Sequence, residues 1–86
     1  MLQYLIMCRS LTYAQRAAKA LERVGITAIV TRAPQGSSAK GCSYCVRVSE
    51  MRMPDALRVL KKSGLGPGRI LLQQENSTFR EVHDFD

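Results

Sequence analysis

Residues 2–32, LQYLIMCRSLTYAQRAAKALERVGITAIVTR, decide the fold. Leu2 to Cys8 is a short apolar run, the signature of a buried strand. Thr12 with Gln15 three residues later fits a capping box, so a helix is expected to start near Tyr13. Ala14, Ala17, Ala18, Leu21 and Val24 then share one face, and Gln15, Arg16, Lys19, Glu22 and Arg23 point away from it. Gly25 can take the left-handed conformation that ends a helix. Ile26 to Arg32 is rich in β-branched residues and reads as a second strand.

The second half repeats this rhythm without repeating the sequence. Ala33 to Gly41, APQGSSAKG, is a loop of small and turn-forming residues. Ser43 to Ser49 alternates as a third strand, with Tyr44, Val46 and Val48 on one face and Cys45 and Arg47 on the other. Pro54 suits the first turn of a second helix, and Asp55 is favourable at its positive end. Met53, Leu57 and Leu60, flanked by Ala56 or Val59, give that helix its buried side. Gly64 ends it, Leu65-Gly66-Pro67-Gly68 turns, and Arg69 to Gln74 is a fourth strand. Residues 1–74 therefore form one domain, and residues 75–86 read as a loosely held acidic tail.

The order βαββαβ predicts an α+β, ferredoxin-like sandwich: a four-stranded antiparallel sheet with two helices on one face. Right-handed crossovers give strand order 4-1-3-2. With 86 residues and 45% hydrophobic content, the chain can bury a modest core but has no room for a large multi-part active site.

The topology gathers distant residues at one sheet edge. The first strand ends there at Cys8 and the second at Arg32. The loop carrying Cys42 lies there, the first helix begins there, and the fourth strand starts there with Arg69. Arg9 and Lys40 join them. Arg9, Arg32, Lys40 and Arg69 are thus expected to surround the thiols. Positive neighbours lower a thiol's pKa and favour the reactive thiolate. Cys42, in a Gly/Ser-rich loop, is the candidate reactive thiol; Cys8 and Cys45 are secondary thiols, each with the competing reading of a small buried hydrophobe.

Cys42-Ser43-Tyr44-Cys45 is a C-x-x-C, a spacing used in redox and metal chemistry. In an extended chain its ends lie about 10 Å apart, too far for a bridge, so a Cys42–Cys8 pairing is at least as plausible as Cys42–Cys45. Zinc held by the three cysteines and His83 is a minor alternative, since His83 stands alone in the tail; no metal or cofactor is expected. Three cysteines are too few for a disulfide scaffold, and no apolar run approaches the roughly 20 residues of a membrane span. The expected setting is the cytoplasm, with no basic leader at the N-terminus.

Charge is divided. Residues 1–74 carry twelve basic side chains and three acids, a balance of +9; residues 75–86 carry one base and four acids, a balance of −3. Nucleic acid is the default partner of a basic domain. Lys40-Gly41-Cys42-Ser43-Tyr44 partly mimics the third-strand signature of RNA-recognition modules, with Tyr4 as an assisting aromatic. The low aromatic content, 6%, weighs against base stacking. A third reading is a regulatory or dimerisation module: Leu5 and Met7 make one face of the first strand apolar, Tyr4 and Ile6 the other. Phe79, Val82 and Phe85 of the tail could cover the sheet or pair with a second chain.

Three stretches carry a resemblance to a known family: LIMCRSLTYAQRAAKALERVGI, TAIVTRAP and SSAKGCSYCVRV. Together they resemble the DUF3343, or Putative Se/S carrier protein-like, family over most of residues 2–62. Cys42 matches the family's cysteine and Arg47 its basic strand position. Ser43 stands where the family usually has glycine, and Cys45 where it has a small residue. The resemblance implies a non-enzymatic carrier that accepts sulfur or selenium on the loop cysteine from a donor protein and hands it to an acceptor. A persulfide is anionic, which suits the basic edge.

Overall fold

A computed structural model of the chain describes residues 2–34, 44–66, 69–74 and 78–82. The elements run β1 (Gln3–Cys8), α1 (Leu11–Glu22), β2 (Ile29–Arg32), β3 (Tyr44–Ser49), α2 (Met53–Lys62), β4 (Arg69–Gln73) and β5 (Phe79–Val82), with a single 3₁₀ turn, Glu50–Arg52, leading into α2. The strands form one sheet in the order β2-β3-β1-β4-β5. Every neighbouring pair is antiparallel. The fold is α+β, and β1 to β4 take the expected ferredoxin-like order.

The sheet has five strands, not four. After β4 the chain turns back: the Gln74 amide donates to Thr78 O at 2.9 Å, and Thr78 Oγ1 donates to Gln74 Oε1 at 2.9 Å. Phe79 then pairs with Gln73 and Val82 with Ile70, inside the segment read from sequence as tail. Adding this strand removes β4 from the sheet edge, where its amides and carbonyls would lack partners.

α1 starts two residues earlier than expected. Ser10, not Thr12, is its N-cap, and the Ser10 hydroxyl accepts from the Tyr13 amide at 3.1 Å. Both helices end alike. Ile26 N–H bonds to Leu21 O at 3.0 Å and Gly25 N–H to Glu22 O at 3.0 Å, the paired bonds of a Schellman cap. Leu65 and Gly64 repeat this on Leu60 and Lys61. Gly25 and Gly64 hold φ of 81° and 73°, where a side chain is disfavoured. The cap turns the chain before Val24 can join the apolar face, so Val24 is 54% exposed. Residues 26–28 precede β2 instead of extending it, and bury Ile26 and Ala28.

Alternation along the strands divides the apolar residues between two faces. Ile6, Cys8, Val46, Val48 and Ile70 meet Ala14, Ala17 and Leu21 of α1 and Met53, Ala56 and Leu60 of α2 in the main core. On the face away from the helices, Leu5, Met7, Cys45 and Leu71 form a second cluster, with Ala33 and Phe79 packed against it.

Candidate thiol site at one edge of the sheet

Two rows of paired residues cross the sheet near its thiol-bearing edge. Arg32, Tyr44 and Cys8 are opposite one another on β2, β3 and β1, with side chains toward the helices. One step in, Thr31, Cys45, Met7 and Arg69 form the next row, with side chains on the other face. Arg9 is exposed in the bend between β1 and α1. Tyr13 Oη donates to Gly66 O at 3.1 Å, which ties the first turn of α1 to the approach to β4. The strand ends and the helix start therefore do meet at one edge. Cys42, Lys40 and the rest of residues 35–43 lie outside the described residues, as do His83 and Phe85.

The two described thiols are sealed. Cys8 is 1% exposed, belongs to the helix-side core, and donates to Ile6 O at 3.4 Å. Cys45 is fully buried among Leu5, Met7 and Leu71, and its Sγ lies 3.9 Å from Arg32 O. Burial pushes the Cys45 thiol above its ordinary range, and the positive charge of Arg47 opposes this without overcoming it. The sheet stands between the two sulfurs, so Cys8 and Cys45 cannot bridge or ligate one ion together. Among the described residues, no three metal-ligating side chains gather.

The basic residues are split between the faces. Arg32 is exposed and places its guanidinium 5.8 Å from the centre of the Tyr44 ring, a cation–π arrangement. Arg69 lies on the opposite face, three inter-strand steps away, or about 14 Å. Its Nη2 bonds to Glu81 Oε1 at 2.9 Å. Glu81 belongs to the acidic segment 75–86, whose charge the sequence reading counted without pairing it to Arg69. Asn76 and Ser77, residue types favoured in turns, stand in the sequence between two short runs and were the available signal for β5.

Arg47 was placed on its strand face by alternation, but its setting was not legible. Its Nη1 donates to Gln3 Oε1 at 3.4 Å, and its Nε is buried without a hydrogen-bond partner. Tyr4 and Tyr44 both pack against the helix-side core. The tyrosines that the alternative nucleic-acid reading would use to stack bases are therefore absent from the sheet's other face, where Phe79 is packed against the apolar cluster.

The family described as Putative Se/S carrier protein-like matches residues 3–72. The chain belongs to this family. No curated protein and no solved structure matches it. For this Se/S carrier-like protein the match spans β1 to β4 and all three cysteines, and stops before β5. Membership is consistent with a carrier role and with donor and acceptor proteins as the general class of partner. Among the described residues, no helix is long and apolar enough to cross a membrane.

Proposed function

We propose that the protein carries sulfur or selenium on Cys42 as a persulfide or selenosulfide and hands it to an acceptor protein. The supporting observation is the burial of the other two thiols: Cys8 and Cys45 are sealed on opposite faces of the sheet, inside a chain that belongs to a Se/S carrier-like family. A carrier thiol must meet two macromolecules in turn, and a sulfur without solvent access cannot do so. Tyr44, the second residue after Cys42 in the sequence, pairs with Arg32 at this edge.

Loading is a sulfane transfer. The Cys42 thiolate attacks the outer sulfur of the donor's persulfide. The donor's S–S bond breaks as the new one forms, and the donor leaves as a thiolate. In release, the acceptor's nucleophile attacks the outer atom and Cys42 leaves as a thiolate. Selenium follows the same electron count through an S–Se bond. Arg9, Arg32 and Lys40 stabilise the anionic cargo, whereas Arg69, on the other face and bonded to Glu81, takes no part in it. This is binding and transfer in a cytoplasmic protein, with no turnover of substrate by the carrier itself.

The test is to load the protein from a donor charged with radiolabelled sulfur and map the label by proteolysis without reductant. Label on the Cys42 peptide, discharged by an added thiol, is the expected result. Label on Cys8 or Cys45, or undiminished label on Cys42→Ser, would refute the assignment.

A further inference from the structure

The outward surface of the helical layer carries a groove that the thiol site does not use. Two adjoining hollows of about 310 and 370 Å³ lie along the seam between α1 and α2, sharing Ala20, Arg23 and Ser63. Arg16, Lys19 and Arg23 line it from the α1 side, and Arg58 and Lys62 from the α2 side. The spacings are three, four and four residues, so each helix presents a stripe of cations to the seam. No acid is among the described residues lining it. Asp55 lies 3.7 Å from Arg58 in an exposed pair, which is weak compensation.

An ordinary solvated helix face mixes signs at such spacings, whereas here two banks of one sign confront each other. Between them the floor is apolar: Val59 and Leu65 are half-buried, and Val24 is 54% exposed. A phosphate backbone needs the cations but has no use for that floor. An acidic amphipathic peptide uses both.

We propose that this groove docks an acidic, amphipathic segment of a partner protein, its apolar side chains on Val24 and Val59 and its carboxylates on the two banks. The surface is separate from the cysteine-bearing edge, and the proposal stands whether or not Cys42 carries sulfur.

The probe is a synthetic helical peptide with glutamates along one face and leucines along the other, titrated into isotope-labelled full-length protein at low salt. Amide shifts should saturate at Ala20, Arg23, Val24, Val59 and Lys62. Affinity should fall about tenfold or more in the double variant Arg23→Glu, Lys62→Glu. It should also fall in Val24→Ser, which keeps every charge. A glutamate peptide of equal charge without leucines should bind more weakly than the amphipathic one. Circular dichroism of both variants checks that the fold is retained. Absence of saturable shifts, shifts mapping elsewhere, or tighter binding of a single-stranded oligonucleotide on the same residues would overturn the proposal.

Discussion

Cys45 shows how a residue's chemistry depends on its face more than on its neighbours in sequence. It stands two positions from Arg47, which in open solution would favour a thiolate. It is fully buried, and desolvation of the charged form outweighs the arginine. The thiol's folded pKa lies above its ordinary value of 9.0, so the folded state holds the proton more tightly than the unfolded chain. Its stabilising contribution is complete below that ordinary value and is lost as pH rises through the folded pKa. Urea unfolding from neutral to alkaline pH should therefore show a loss of stability above about pH 9 that is smaller in Cys45→Ala. An identical alkaline slope in both proteins would remove this account. In native protein, Cys8 and Cys45 should alkylate only as fast as the fold opens.

At the level of single residues, alternation sufficed to put Cys45 and Arg47 on one face and Tyr44, Val46 and Val48 on the other. It could not show that Arg69 would meet Glu81. That contact depends on β5, a four-residue edge strand whose middle positions are charged. Charged edge strands carry little apolar periodicity, which is why the strand escaped a reading based on pattern.

Among the elements, the two Schellman caps and the added strand invite direct tests. A Cβ at Gly25 would meet nothing within 4 Å, so Gly25→Ala should cost only the left-handed backbone penalty, about 1–2 kcal/mol, in urea unfolding. Gly25→Asn should cost less. β5 is held by Phe79, packed on the Leu5, Met7, Cys45 and Leu71 cluster, more than by the partly exposed Arg69–Glu81 pair. Glu81→Gln should cost at most about 1 kcal/mol, and Phe79→Ala more. The reverse ranking would mean that the ion pair anchors the strand.

The helix boundaries show the limits of local signals. Thr12 and Ser10 are both competent caps, and the chain uses the one nearer the end of β1, which lets α1 begin after a two-residue bend. Val24 has the right helical spacing, but the glycine cap ends the helix before that spacing applies.

Across the whole molecule, one sheet separates two apolar clusters and places one described cysteine in each. The strand order of β1 to β4 was legible because few right-handed topologies fit two βαβ halves. The gathering of strand ends at one edge followed from that order. The splitting of Arg32 and Arg69 between faces came from register, which no short motif encodes. The divided charge of +9 against −3 also has a structural expression, since an acid of the C-terminal segment, Glu81, bonds to a base of the body, Arg69.

The most direct measurement of the central claim is the intact mass of the reduced protein after incubation with a cysteine desulfurase and cysteine, wild type beside Cys42→Ser. Wild type should gain one sulfur atom that a reductant removes, and Cys42→Ser should gain none. No gain on wild type, or equal gain on both, would contradict Cys42 as the carrier.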